Sequence, residues 1–402
     1  MDLLSATVQP YAWGSPTALP RLMGLPVTGE PQAELWLGAH PAAPSLIERE
    51  GAVLPLDRVI AADPGRELGA PALRRFGPRL PFLLKLLAAD APLSLQVHPD
   101  AAQAEAGYAA ENARGVPLDA PHRNYRDRRH KPEMIVALTP FEGLCGFRAP
   151  GESAALLDDL GVPGLRPFAE VLRTGPEEAA LQSVFTGLLA PAPGLLDATA
   201  GAVAHAAGRE GPHRADWAAY RAIARAHPGD TGLLPALMLR YVRLEPGEAL
   251  FLGAGVPHAY LSGLGVEVMA GSDNVLRCGL TAKHVDAEEL LKVVRFTAPP
   301  HRTLTPRVEA AGAHHYPAPV DDFRLTRITA RSGDPARPLR AGAPRIVLCT
   351  EGEALLTSAD EAVRIGPGRA VYVPAWEPVT LTGHATVFSA GVADPADASA
   401  GH

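Results

Sequence analysis

Residues 247–283 read GEALFLGAGVPHAYLSGLGVEVMAGSDNVLRCGLTAK, and this stretch decides the fold. It opens on Gly247-Glu248, runs through a short apolar segment to Gly255, and reaches His258. A strand, a glycine turn and a histidine in that order deliver one imidazole to the inside of a β-barrel wall. The second half alternates: Val266 and Val268 fall on one face, Glu267 and Met269 on the other, as a strand requires. Glu267, Asp273, Asn274 and Arg277 give this stretch a charge density that is costly to bury unless the barrel holds a polar ligand.

The chain around it is 402 residues long, enough for two or three domains with cores of their own. Its 47% apolar and 20% charged residues describe an ordinary globular composition. The net charge of −7 supplies no general basic field, so a nucleic-acid partner is not expected and a bound anion must meet a local basic cluster. Cys145, Cys278 and Cys349 are odd in number and widely spaced. That is neither a disulfide framework nor a cysteine zinc site, and it points to a reducing, cytoplasmic setting. No signal-peptide pattern and no apolar run long enough to span a membrane is seen. Among 402 residues, 39 glycines and 41 prolines punctuate short apolar runs, a pattern of many short strands.

Upstream, residues 92–99 read PLSLQVHP. A period of two puts Ser94, Gln96 and His98 on one face and Leu93, Leu95 and Val97 on the other, which is not how a core strand looks. Asp100 is placed to cap a helix over 101–113. Residues 114–130, with Arg123, Arg126, Arg128 and Arg129, read as a solvated loop, and HKPE (130–133) leads into a strand at 134–138. Residues 81–88 form a buried strand carrying one lysine, Lys85. AELWLGAHP (33–41) is a strand ending in a turn, with His40 expected near the site and not as a ligand. Residues 56–77 read as helix interrupted at Pro64-Gly65.

From 151 to 232 alanine and leucine dominate and alternation stops. Short helices at 153–160, 177–189, 194–207 and 216–226 make a helical insertion, in which His205, His213 and His227 are expected to be surface or core residues. A helix at 286–296, a loop-rich linker at 299–319 and short strands over 320–395 complete the chain. The expectation is a mainly β protein with a helical insertion, an α+β arrangement of two β domains and one helical domain. Residues 1–150 and 233–300 make the first β domain, 151–232 the insertion and 301–402 the second. A weak repeat relates Gly247 to Gly368; where the first copy has His258 the second has Val379, so the C-terminal domain is expected to hold no metal.

Gln96, His98, Glu133 and His258 stand out as a ligand set. Two imidazoles, one carboxylate and one amide oxygen suit a borderline divalent ion such as zinc, and the single anion leaves the ion positive enough to act as a Lewis acid. The competing reading is two unrelated buried histidines bonded to backbone.

AELWLGAHP (33–41), LQVHP (95–99), HKPE (130–133), GVPHAY (255–260) and SDNVLRCGLTAK (272–283) together resemble the type I mannose-6-phosphate isomerases, and the likeness runs from Tyr11 into the C-terminal domain. The resemblance implies cupin-type jelly-roll barrels, one zinc per chain, and interconversion of mannose 6-phosphate and fructose 6-phosphate. It implies Gln96, His98, Glu133 and His258 as zinc ligands, Arg277 as a catalytic residue, and Lys131, Glu267, Asp273, Ser94 and Lys85 as substrate-binding residues lining the site. Ala282 stands where the family usually has proline, and Cys278 where a small residue is common.

The residue types suit the reaction. Moving a proton between C1 and C2 through an enediol needs oxyanion stabilisation and a base. Zinc with Lys131 fits the first need. Glu267, a metal-bound water and a histidine are open as the base. Arg277, always protonated, fits an oxyanion or phosphate contact, against the alternative of a structural ion pair with Asp273 or Glu267. Two other functions are compatible with a metal-bearing barrel: a cupin oxygenase, disfavoured by the amide ligand and the nearby lysine and arginine, and a sugar-binding regulator without turnover. The expected partner is a small phosphorylated hexose, and the chain is expected to be a monomer.

Overall fold

The strand His258–Ala270 is the element on which the other parts of the site are hung. Its first half pairs with Phe141–Phe147 and, through His258, with Gln96 of the short strand Leu95–Val97. Its second half lies between Phe82–Ala89 and Glu133–Ala137, with Glu267 opposite Lys85 and Met269 opposite Glu133. Between the halves the register slips at Leu261, and Gly263 takes a φ of 122°. A side chain on Gly263 would stand 2.7 Å from the Pro140 carbonyl. The slip matters because side chains alternate along a strand. It lets even-numbered Tyr260 and odd-numbered Glu267 and Met269 line the same cavity.

The computed structural model describes residues 1–299, 303–310, 312–339 and 341–393. Two large antiparallel sheets carry the β structure. One, of ten strands, includes Thr7–Gln9, Glu34–Leu37, Phe82–Ala89, His258–Ala270, Phe141–Phe147 and Leu239–Leu244. The other, of nine strands, includes Arg324–Ala330, Arg345–Thr357, Ala370–Val373 and Thr380–Gly391. One apolar core joins them: Leu35, Leu84, Leu86, Met134 and Val266 from the first meet Phe323, Leu325, Ile346, Tyr372 and Phe388 from the second. The Phe82–Ala89 strand is buried at every position, which its unbroken apolar run requires, Lys85 included.

Two features of the sheets differ from the sequence expectation. The N-terminal strand Asp2–Leu3 joins the C-terminal sheet, opposite Tyr372 and Val371. The expected linker 299–319 holds two strands of that sheet, Arg307–Ala310 and Ala313–Tyr316, which pair with each other. Both are short and polar, so alternation does not reveal them. Residues 300–302 and 311 of that linker, and 340 and 394–395 of the expected strand region, lie outside the described residues.

The insertion holds the helices Pro150–Leu160, Arg166–Thr174, Glu177–Leu189, Leu195–Ala206 and Arg214–Ala226. Arg166–Thr174 was not anticipated: its Pro167 reads as a breaker but sits in the first turn, where a missing N–H costs nothing. Leu156, Leu181, Phe185, Trp217 and Tyr220 form a core continuous with Leu95, Val97 and Leu276 of the barrel wall. Arg148, just after the Phe141–Phe147 strand, reaches into the helices to Asp216 and to the Tyr220 hydroxyl. The Ala101–Ala113 helix begins where expected, with a reciprocal cap between Asp100 and Gln103. No helix of the described residues is long and apolar enough to cross a membrane.

Candidate active site

A cavity of about 510 Å³ lies against one face of the ten-stranded sheet. Gln96, Glu133, Lys85, Lys131, Ser94, Glu267, Asp273 and Arg277 all line it. His98 and His258, both fully buried, stand behind Gln96 and Glu133. Register explains the convergence: Gln96 is opposite His258 on one side and Arg277 on the other, while Glu133 faces Leu252 and Met269.

His98, Glu133 and His258 present ligand atoms all within 4.8 Å of one another, the one such group of three among the described residues. The Nε2 of His98 is 3.4 Å from Glu133 Oε1, and the Nε2 of His258 is 3.6 Å from Glu133 Oε2. The other ring nitrogens are committed. His98 Nδ1–H donates to the Asn274 carbonyl at 2.9 Å and His258 Nδ1–H to the Val256 carbonyl at 2.9 Å. A neutral imidazole that donates from Nδ1 turns a lone pair inward at Nε2, which is how metal-binding histidines are held. The backbone bonds of the competing reading are therefore present, and they orient the two rings toward one point instead of separating them.

Two observations test whether this set fits a cation. His98 Nε2 and Glu133 Oε2 are buried with no hydrogen-bond partner, an arrangement that is costly without an ion. Burial also pushes the His98 pKa down to about 4, keeping the ring neutral, and the nearby Lys131 adds to this against the opposing Glu133. Burial alone would raise the Glu133 carboxyl; Lys131, with its Nζ 3.0 Å away, is the chief influence that outweighs it and holds the group well below the usual carboxylate range. The Gln96 amide lies 3.3 Å from His258 Nε2, and a half-turn brings its oxygen to the same place. Donor types and geometry fit a divalent ion of zinc's preferences.

Beside this set lies a buried charge cluster. Lys85 Nζ is 2.9 Å from Glu267 Oε2 and 3.4 Å from Glu34 Oε1, and 5.5 Å from the Trp36 ring centre. Burial disfavours the ammonium, but Glu267, Glu34 and Glu133 overcome this and keep Lys85 charged. Burial raises the Glu267 pKa; Lys85 opposes this, and the neighbouring Glu133 and Glu34 add to it. Tyr260, 3% exposed, lines the cavity with its hydroxyl buried and unpaired. Asp273 pairs with His40 Nε2 at 3.3 Å, so His40 sits at the strand end beside the site, as expected.

Arg277 is in neither of the ion pairs considered for it: Asp273 faces His40, Glu267 faces Lys85, and among the described residues Arg277 makes no salt bridge. Burial and then Arg126 lower its pKa; burial, Arg277 and Arg126 lower that of Lys283. Arg277 and Lys283 thus line one cavity with Arg126 close enough to act on both, a ready place for an anion. The arginine-rich segment is not a plain solvated loop. Arg123 is 5% exposed and bonded to the Tyr125 and Val116 carbonyls, and Arg129 donates to the Gly271 carbonyl. Asn274 ties this loop down, accepting from the Arg126 and Asp127 amides and donating to the Asp127 and Arg129 carbonyls. Sequence reasoning passed over Arg126, Lys283 and His227; the last lines the cavity from the helical insertion and donates to the Pro92 carbonyl at 2.9 Å. Only Lys283 left a signal, three residues beyond Leu280 in a charged segment.

Known proteins resemble this one across its length. The model of the phosphomannose isomerase type I catalytic domain matches residues 1–150. The chain is 41% identical to mannose-6-phosphate isomerase of Escherichia coli over 388 residues, 96% of this chain and 97% of that protein. It is 31% identical to that of Rattus norvegicus over 409 residues, 94% of each. A zinc-bound holo structure of mannose 6-phosphate isomerase superimposes with a TM-score of 0.89 at 37% identity, covering 97% of this chain and 99% of the other. A mutant phosphomannose isomerase from Salmonella typhimurium gives a TM-score of 0.90 at 37% identity, covering 98% and 99%. The likeness includes the helical insertion and the C-terminal sheet, so the α+β, cupin-type architecture is shared as a whole. The chain belongs to the type I mannose-6-phosphate isomerase family.

Proposed function

We propose that this chain interconverts D-mannose 6-phosphate and D-fructose 6-phosphate, with one zinc ion held by Gln96, His98, Glu133 and His258. The observation that carries the reading is the pair of buried, unpartnered ligand atoms, His98 Nε2 and Glu133 Oε2, beside a cavity lined by Arg277 and Lys283. Bound there, zinc supplies Lewis acidity toward an oxygen at C1 or C2 of the sugar.

The chain's own residues account for the rest. Lys131 Nζ, against Glu133 and lining the cavity, donates to the oxyanion that develops as the enediol forms. Glu267, whose pKa is raised toward the range of a working general base, is our choice to carry the proton between C1 and C2, with Lys85 holding it in place. Arg277 acts on the substrate's negative charge, and with Lys283 it clamps the phosphate, a role suited to cations without competing carboxylates. Ser94 and Asp273 take sugar hydroxyls. The C-terminal domain is assigned no metal. With three free thiols, the protein is assigned to the reducing cytoplasm, and it is taken to act as a monomer.

A coupled assay of fructose 6-phosphate formation tests this reading. Activity is expected, lost on chelation and regained with zinc. An intact, zinc-loaded protein without turnover overturns it.

A further inference from the structure

Leu280 is one of two residues other than glycine with positive φ among the described residues, at 58°. A leucine there is strained, and such strain persists only where surrounding contacts impose it. Leu280 directly follows the strand Leu276–Gly279, which carries Arg277, and precedes Thr281 and Lys283; all four line the cavity.

One side chain imposes the conformation. Asp230, at the end of the helical insertion, accepts at Oδ1 from the Leu280 amide at 2.9 Å and the Gly232 amide at 2.8 Å, and at Oδ2 from the Thr281 amide at 2.9 Å. The carboxylate thus grips two successive amides of the strained turn. The packing leaves no slack: a Cβ on Gly279, whose own φ is 134°, would meet the Gly232 Cα at 2.5 Å. The Leu280 side chain, 1% exposed, is sunk in the core of the helical insertion. Beyond the turn, the Thr281 hydroxyl accepts from the Lys283 amide at 3.1 Å and carries the constraint to the lysine. Asp230 itself does not line the cavity.

We propose that Asp230 is a positioning residue for the anionic end of the substrate. By holding Leu280 left-handed, it turns Thr281 and Lys283 back toward Arg277, so that a phosphate group meets them as one set. The helical insertion thereby acts as the fixed anchor for the anion-binding wall. This inference rests on the phosphate clamp proposed above.

Asp230→Ala, Asp230→Asn and the double variant Asp230→Ala/Leu280→Gly test it, with zinc content, melting temperature, kinetics and calorimetric titration of inorganic phosphate on each. Asp230→Ala is expected to raise KM for mannose 6-phosphate by about tenfold or more, with kcat changed by less than about threefold and zinc retained. Asp230→Asn, which keeps the Oδ1 bonds, falls between it and the wild type, and serves if the alanine variant does not fold. Glycine at 280 removes the strain but also a buried leucine, so the double variant melts lower than Asp230→Ala while recovering part of the KM and phosphate affinity. A merely structural Asp230 would make KM, kcat and melting temperature worsen together in the double variant; that outcome, or an unchanged KM in Asp230→Ala, overturns the inference. If the wild type binds phosphate but does not turn over mannose 6-phosphate, the proposed function fails on its own, and the phosphate affinities still decide the role of Asp230.

Discussion

Replacing Lys85 with methionine removes the one cation from a buried trio while keeping much of the side chain's volume. The ammonium sits 2.9 Å from Glu267 and 3.4 Å from Glu34, and the three side chains are 8%, 3% and 8% exposed. At those distances and an effective dielectric near 20, each attraction is about 5 kcal/mol. Much of this offsets the desolvation of the ions, so the net cost of removing one partner is about 3–5 kcal/mol. The deficit must depend on pH. Glu267 is already raised by burial, with Glu133 and Glu34 adding to it, and it rises further once Lys85 no longer opposes the shift. A carboxyl whose folded pKa exceeds its unfolded value contributes fully below the unfolded value, here near 4.5, and loses that contribution as pH climbs through the folded one. Lys85 in the wild type shifts upward from 10.5 and stays charged throughout. The variant should therefore lose least near pH 5 and most near pH 8. Urea unfolding of both proteins at the two pH values, after chelation so that no metal contributes, gives the comparison. A deficit below about 1 kcal/mol, or one equal at both pH values, would refute the ion-pair reasoning. Adding Glu267→Gln should recover part of the loss, and a purely additive double variant would refute it as well.

Other expectations follow from the same geometry. His258→Ala should lose bound metal, read by elemental analysis after dialysis; full occupancy would show that the ligand assignment is wrong. Arg277→Ala should keep the metal while activity falls by about 10²-fold or more, and inhibition by inorganic phosphate should weaken in parallel. Asn274→Ala releases the loop at 126–129 and loosens the backbone that holds His98, so zinc affinity should fall by about tenfold or more in a competition titration with a chelator. Gly263→Ala meets the Pro140 carbonyl at a strained φ and should lower the melting temperature of the metal-free protein, whereas Gly333→Ala, also at positive φ but in open space, should do so less.

The sequence was informative where chemistry and periodicity coincide. Gln96 and His98 sit two apart among aliphatics, Lys85 interrupts an apolar run, and His258 follows a glycine turn; each is anomalous for a core strand, and each adjoins the site. The helix beginning after Asp100 was legible because its cap is local. What escaped was non-local. Nothing near Arg126 or His227 shows that they approach residues 148 and 135 positions away, respectively. The slip at Leu261 has no signature except an unremarkable Ser-Gly pair after it. The pairing of Asp2 and Leu3 with Tyr372 and Val371 depends on an edge formed by the far end of the chain. The strained turn at Leu280 reads as ordinary sequence, since the aspartate holding it lies 50 residues earlier.

The extra residue at Leu261 bears on how this scaffold can change over generations. One continuous ribbon presents His258 near one end and Glu267 near the other, and that odd spacing serves a single chamber only because the ribbon miscounts once. While the slip at Leu261 is kept, a gain or loss of one position between them would turn one end outward. Drift in length is thus barred from this span and diverted to peripheral segments, leaving amino-acid exchange along the rim as the route by which descendants could acquire a different sugar.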